Sequence, residues 1–130
     1  MGTWTLTRGG GFEGVPLGAG REDVLKKLGE PDAIFRRVPT GPPVHDFQEQ
    51  GAQVTFDDKD RVKFVETYPP ADPTIEGIQL LGRPEDDVLR ELRDAGIEME
   101  QYDSGVRLPE WRAALFVDGS TVQAVSAGDG

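Results

Sequence analysis

His45 is the only imidazole in this chain of 130 residues, and it is the side chain best suited to acid–base chemistry near neutral pH. It lies in the segment GPPVHD, directly before Asp46 and four residues before Glu49, and either carboxylate could orient it as a base. The chain has no cysteine and no second histidine, which excludes the common zinc sites. A surface or loop histidine in a proline-rich segment is the simpler interpretation, so we predict no catalytic residue.

Two other stretches have the composition of ligand sites. FDDKDR, residues 56–61, has the acids of a calcium loop, but counting from Asp57 the sixth position is Val62 instead of Gly and the twelfth is Tyr68 instead of Glu. RGGGFEGVPLGAG, residues 8–20, could cradle phosphate with its backbone amides, but no Lys-Ser/Thr pair follows and no dinucleotide-binding spacing fits. We interpret the first as a hairpin turn and the second as a flexible lead-in, and predict no cofactor and no metal.

The charge of the chain argues against nucleic acid as a partner. The formal net charge is −10, and Lys and Arg occur in no cluster longer than a pair, whereas phosphate binding needs a basic stripe. Residues 1–70 hold 9 basic and 11 acidic side chains, and residues 71–130 hold 5 and 13. The second half therefore carries most of the negative charge, which can steer a basic protein partner or simply solvate an acidic surface.

No stretch of the sequence approaches the roughly 18 apolar residues that a membrane helix requires, so we expect no membrane association. The N-terminus lacks a basic region followed by an apolar run. Without cysteine, nothing ties the chain to an oxidising compartment. We therefore expect a cytoplasmic protein, unless a secretion signal has been removed.

One sequence segment with the pattern of a helix occurs twice in the chain. LGAGREDVLKKLG begins at Leu17, and LGRPEDDVLRELRDAG begins at Leu81, a shift of 64 residues. The identities pair Leu17, Gly18, Asp23, Val24, Leu25 and Leu28 with Leu81, Gly82, Asp87, Val88, Leu89 and Leu92. Such self-similarity indicates an internal duplication.

A second pair of phrases follows at a shift of 60 residues, VTFDDKDRVKFV and ALFVDGSTVQAV. The matched positions are Phe56, Asp58, Val62 and Val65 with Phe116, Asp118, Val122 and Val125. The prolines of YPPADPT, residues 68–74, disfavour helix and central strand, and mark the join. We therefore divide the chain into a lead-in at 1–13, a first repeat at 14–70 and a second repeat at 71–130, the repeats forming one compact unit.

Each phrase predicts a short amphipathic helix, because its apolar residues share one helical face and a glycine, Gly29 or Gly96, ends it. Glu85, Asp86 and Asp87 have the composition of a metal or acid–base cluster. At the start of a helix, however, carboxylates stabilise the positive end of the helix dipole, and we prefer that interpretation.

Strands follow each helix. Residues 33–38 and 97–102 come directly after the helices, and the segments around Phe56 and Phe116 each lead through a polar turn into a β-rich run. Each repeat then reads α-β-β-β. One helix on three short strands cannot bury both its faces, so we predict an α+β fold of two tandem repeats, with helices packed on one face of antiparallel sheet.

The recurring apolar positions define the expected core. Its members are Val24, Leu25, Leu28, Phe56, Val62, Val88, Leu89, Leu92, Phe116 and Val122. We expect these side chains to be mostly buried.

The pattern of Leu-Gly, an acidic pair, Val-Leu and then Leu-Gly-x-Pro, followed by an aromatic-bearing hairpin, resembles the repeat of the β-lactamase inhibitory protein family and of the small lipoproteins of outer-membrane protein assembly. The similarity covers residues 17–31, 54–65, 81–92 and 114–125, under half of the chain. The resemblance implies helices on an antiparallel sheet whose concave face grips another protein. The chain departs from the family in having no cysteine, no apparent secretion signal and shorter intervals, so we expect the resemblance to carry over the fold and a non-enzymatic scaffold and not β-lactamase as the target.

These observations favour a non-enzymatic binding module, an inhibitor or immunity-type protein that binds a basic protein. The alternatives are a small hydrolase that uses carboxylates for acid–base catalysis and an accessory domain of unknown role. The sequence leaves the oligomeric state open.

Strand parity selects a partner surface. In residues 97–102, Ile97 and Met99 should face the helices, which places Glu98, Glu100 and Tyr102 on the opposite side. Trp111 is an odd number of residues from Phe116, and because we expect Phe116 in the core, Trp111 should point outward. The alternative is that Trp111 covers an end of the sheet or packs between the two repeats. Aromatic side chains beside carboxylates are typical of a binding surface for a basic protein.

Overall fold

The computed structural model of the chain describes residues 3–129. The elements of the first half are β1 (Thr3–Thr5), β2 (Gly11–Phe12), β3 (Val15–Pro16), α1 (Arg21–Leu28), β4 (Ala33–Arg36), β5 (Pro43–Phe47), β6 (Ala52–Phe56) and β7 (Val62–Thr67). Those of the second half are β8 (Asp72–Ile75), β9 (Ile78–Gln79), α2 (Glu85–Asp94), β10 (Glu100–Tyr102), β11 (Gly105–Leu108), a short 3-10 helix (Pro109–Trp111), β12 (Ala113–Asp118) and β13 (Thr121–Gly128).

One large sheet organises the molecule. Its eight strands lie in the order β10-β11-β12-β13-β7-β6-β5-β4, and every neighbouring pair is antiparallel. The second half of the chain supplies four neighbouring strands, the first half supplies the other four, and β13 and β7 join them at the centre. Strands β4 and β10 are left at the two edges.

The predicted fold class is wrong. The structure is 45% strand and 17% helix, with two helices and an eight-stranded antiparallel sheet, and it is not a pair of α-β-β-β units. Part of the difference lies in β5, which begins at Pro43 in a segment that we interpreted as a loop. Proline is compatible with the first residue of a strand, so the prolines of this segment do not exclude one.

Backbone hydrogen bonds attach the segment at the start of each helix to the hairpin that follows in the same half of the chain. Gly18 donates its backbone N–H to the carbonyl oxygen of Val62 at 2.8 Å, and Gly82 donates to Val122 at 2.9 Å. Beside these, Arg21 N–H donates to the carbonyl of Asp60. The two repeated segments therefore make equivalent backbone hydrogen bonds, although the fold differs from the predicted one.

The core lies on one face of the large sheet, beneath the two helices. Alternate residues of the central strands point into it, such as Val54 in β6 and Val65 in β7, and both are fully buried. Of the ten expected core residues, eight are confirmed as buried: Val24, Leu28, Phe56, Val62, Val88, Leu89, Leu92 and Val122. Leu25 is partly buried and packs against this core.

Phe116 is the exception, and the prediction that it belongs to the core is wrong. Its side chain is 46% exposed. In the register of the sheet, Val117 pairs with Val122 as Phe56 pairs with Val62, so the second hairpin is one residue shorter at its turn. A slip of one residue moves a strand side chain to the opposite face, which places Phe116 away from the helices.

The N-terminal segment, which we predicted as a lead-in, contributes Trp4, Leu6 and Phe12 to the buried core. Strand β1 pairs in parallel with β8, Thr3 opposite Asp72. The beginning of the chain is therefore attached to the element that opens the second half. Within the described residues, no helix has the length and apolar character needed to cross a membrane.

Two variants test the corrected core. Leu92→Ala should lower the free energy of unfolding by about 2–5 kcal/mol, because the Leu92 side chain is fully buried. Phe116→Thr should cost less than about 1 kcal/mol, because the side chain is half exposed and threonine suits a strand. Urea denaturation of both variants measures the difference, and equal shifts of the two midpoints would contradict this assignment.

Candidate functional site

The face of the large sheet opposite the helices carries exposed aromatic side chains, and we call it the uncovered face. Register places Tyr102, Gly105 and Phe116 side by side across β10, β11 and β12 on this face. Phe35 lies on the same face in β4, opposite Val44. Phe35, Tyr102 and Phe116 are all among the exposed large hydrophobic side chains.

Tyr102, Arg107 and Phe116 form what we call the aromatic patch. Gly105 separates the two rings, and a Cβ atom added there would lie 1.9 Å from the carbonyl oxygen of Leu115, so the position excludes a side chain. The guanidinium carbon of Arg107 lies 4.8 Å from the centre of the Tyr102 ring. The two rings therefore lie on either side of the Gly105 backbone, which carries no side chain. The Arg107 guanidinium makes a cation–π contact with Tyr102.

The structure brings two of the four predicted binding residues together. Glu100 and Tyr102 lie on the uncovered face in β10, and the Glu100 carboxylate is 3.8 Å from the guanidinium of Arg107. Glu98 is exposed just before this strand. Glu98 thus supplies acidic charge beside the aromatic patch, whereas the charge of Glu100 is partly offset by Arg107.

The expectation that Trp111 points outward is wrong, because its side chain is 3% exposed. Trp111 ends the 3-10 helix, and Arg112 follows with φ of +51°, so strand alternation does not reach this position. The guanidinium of Arg8 lies 4.9 Å from the centre of the indole ring. Pro109 begins this 3-10 helix, where proline is tolerated, and it was the sequence signal that the chain just before Trp111 is not strand.

A pocket of about 410 Å³ lies on the uncovered face in the first half, and no sequence pattern indicated it. Residues 37–42, which connect β4 to β5, form one wall, whereas β10 and β11 are connected by only two residues. The apolar and small residues that line it are Val38, Gly41, Pro42, Val44, Thr55 and Phe64. We call this site the loop pocket.

Charged side chains border the loop pocket. Arg37 donates to the amide oxygen of Gln53 at 2.7 Å and lies 3.7 Å from the carboxylate of Glu66. Asp129, on the other side of the pocket, pairs with Arg112 at 3.3 Å. Lys63 also lines the pocket, which is thus an apolar recess bordered by charges of both signs.

His45 lies inside the core, not in a surface loop. Its ring meets the ring of Phe56 edge to face at 4.8 Å, and its Nδ1 atom is buried without a hydrogen-bond partner. Asp46 points to the other face, because neighbouring residues of a strand alternate. Asp46 instead accepts a hydrogen bond from the Tyr68 hydroxyl at 2.6 Å, so it does not orient the imidazole as a base.

Burial is the largest cause of the pKa shifts of both His45 and Tyr68. Burial, and then the charge of Arg21, lower the pKa of His45. Burial, and then the hydrogen bond to Asp46, raise the pKa of the Tyr68 hydroxyl, which keeps it protonated. His45 is therefore a neutral packing residue, and Tyr68 a hydrogen-bond donor.

A carboxylic acid that donates a proton at neutral pH needs a raised pKa. The pKa of Asp57 is lowered instead, because its carboxylate accepts backbone N–H bonds from Arg61 and Lys59. The pKa of Glu91 is lowered by its hydrogen bond from the guanidinium of Arg83. Neither of these carboxylates is suited to act as a general acid.

Over residues 3–129, no three His, Asp or Glu side chains are grouped to hold a metal ion. The three acids at the start of α2, Glu85, Asp86 and Asp87, occupy its first turn as expected for helix stabilisation.

Comparison with protein-family models gives no match, and neither the curated proteins nor the solved structures give a significant match to this chain.

The lowered pKa of His45 predicts a specific pH dependence of stability. An unfolded histidine binds its proton near pH 6.5, more readily than the folded one, so His45 should make stability fall as pH drops below about 6.5. His45→Phe keeps the ring contact with Phe56 and removes the titration. Urea midpoints between pH 7.5 and pH 5 should therefore fall less steeply for the variant. Both proteins share the same carboxylates, so parallel curves would exclude His45 as the source.

Proposed function

We propose that the protein is a non-enzymatic binding module that holds a basic protein partner against the uncovered face of its sheet. The observation that carries the proposal is the aromatic patch, in which Tyr102 and Phe116 are exposed on a sheet face that no helix covers. Aromatic side chains are enriched at the energetic centres of protein interfaces, because they supply large contact area at low cost in conformational entropy.

Electrostatics supports the choice of a basic partner. The chain has a formal charge of −10, and residues 71–130, which include the aromatic patch, hold 13 acidic and 5 basic side chains. Glu98 and Glu100 are exposed beside the patch. Such a field speeds association with a positively charged protein and repels an acidic one.

The loop pocket belongs to the same proposal. It lies on the uncovered face, and its floor of Val44, Thr55 and Phe64 offers an apolar recess for one side chain of the partner. The resemblance to the β-lactamase inhibitory protein family implies the same use of a sheet face. We also propose a cytoplasmic location, since a chain without cysteine has no disulfide that requires an oxidising compartment.

A photo-crosslinking amino acid tests the face directly. Benzoylphenylalanine placed at Phe116 should give a protein adduct in a lysate of the source organism, and the captured protein should be basic. The same residue placed at Lys26, exposed on α1, should not give that adduct.

The captured protein then permits a quantitative test. Phe116→Ser should weaken its binding at least tenfold, as expected for a central aromatic residue of an interface, and Lys26→Ala should leave the affinity unchanged. Identical adducts from both positions, or an acidic captured protein, would contradict the proposal.

A further inference from the structure

Apolar exposure is concentrated at one edge of the sheet. Five large hydrophobic side chains are exposed among the described residues, and three of them lie within residues 34–38: Ile34 at 59%, Phe35 at 38% and Val38 at 55%. Ile34 and Phe35 belong to β4, the edge strand, whose four residues are all exposed. Their side chains point to opposite faces, so the edge is apolar on both sides.

The other edge of the sheet is built differently. Strand β10 has three residues, Glu100, Gln101 and Tyr102, and Arg107 of the neighbouring strand contacts both Glu100 and Tyr102. Short, charged edge strands are the usual protection against pairing with another chain. Strand β4 is protected less completely: the guanidinium of Arg37 lies 5.7 Å from the centre of the Phe35 ring, but Ile34 is 59% exposed.

We infer that β4 pairs with β4 of a second copy in antiparallel orientation, which joins the two eight-stranded sheets into one continuous sheet. The twofold axis of this dimer runs perpendicular to the sheet and passes beside Ile34. The inference concerns an edge of the sheet and does not depend on the proposed partner of the uncovered face.

Side-chain chemistry selects this register. Residues directly opposite one another must point to the same face, so the symmetric pairing has either Ile34 or Phe35 on its axis, or a residue farther from the centre of the strand. With Ile34 on the axis, Asp32 of each copy lies opposite Arg36 of the other, and Ala33 lies opposite Phe35. With Phe35 on the axis, Ile34 lies opposite Arg36 and the two opposite-charge pairs are lost.

The existing contacts of these residues are compatible with the pairing. Asp32 accepts the backbone N–H of Gln48 through one carboxylate oxygen, Oδ2, at 2.8 Å. Arg36 donates one guanidinium N–H to the carbonyl of Gly41. The second carboxylate oxygen and the further guanidinium donors have capacity for a cross-strand ion pair.

The charge distribution also favours contact at this edge. Strand β4 belongs to the first half, where 9 basic and 11 acidic side chains nearly balance, and lies at the opposite end of the sheet from β10. Joining two copies at β4 keeps their acidic second halves at the far ends, which limits repulsion between two chains of charge −10.

Because the chain has no cysteine, single-cysteine variants report the pairing without interference. Under mild oxidation of the folded protein, Ile34→Cys should form a disulfide-linked dimer, since the two positions face each other across the axis. Phe35→Cys should link at least several-fold less, because each Phe35 lies opposite Ala33. Gln101→Cys, the matched control at the other edge, should form no disulfide-linked dimer.

Charge variants test the register independently. By sedimentation equilibrium the wild-type protein should be a dimer, and Arg36→Asp should raise the dimer dissociation constant at least tenfold, since it places two acids opposite each other on both sides of the axis. Adding Asp32→Arg to that variant recreates opposite charges and should restore the dimer.

A monomeric wild-type protein at millimolar concentration would overturn the inference. Equal linking at positions 34 and 101, or preferential linking at position 35, would also overturn it. Far-UV circular dichroism of each variant confirms that it is folded before its mass is interpreted.

Discussion

The pairing of β7 with β13 is the contact on which the rest of the structure depends. Thr67 lies opposite Val125 and Val65 opposite Ala127, all pointing into the core and all buried. The Thr67 hydroxyl donates to the carbonyl oxygen of Val125 at 2.8 Å, so a polar group at the centre of the sheet is satisfied. Without this pairing, each half would be a four-stranded sheet with one more unprotected edge.

A continuous sheet gives the molecule two faces of different character. One is covered by the helices, and the other holds the aromatic patch and the loop pocket. The two halves use this second face differently, because the register matches Thr55 in the first half with Phe116 in the second. A small residue beside a six-residue connection leaves a recess, whereas a large residue beside a two-residue connection leaves a projecting ring.

Sequence reasoning succeeded where local pattern decides the outcome. Both helices and most core residues follow from apolar spacing and from glycine, because a helix is specified by residues three and four positions apart. It failed where the outcome depends on distant residues. The exposure of Phe116 follows from a turn shortened by one residue, and the burial of Trp111 follows from a 3-10 helix inserted before β12.

The candidate site likewise has a part that the sequence predicted and a part that it did not. Strand parity was sufficient to place Glu100 and Tyr102 on the exposed face. The loop pocket could not be predicted from the sequence, because its wall at residues 37–42 and its floor at Thr55 and Phe64 come together only when the sheet has formed. The composition of residues 37–42 shows nothing about where that segment lies in the fold.

The parallel pairing of β1 with β8 sets an order of events during synthesis. Thr3 leaves the ribosome before its partner Asp72, which follows 69 residues later. Until then Trp4 and Leu6, which are buried in the finished protein, can contact Phe12 but lack the pairing of β1 with β8. Contacts between distant residues also form slowly, since a long loop must close first. Strand β1 is therefore made well before the strand that it pairs with, and it is among the last elements of this fold to be protected from proteases.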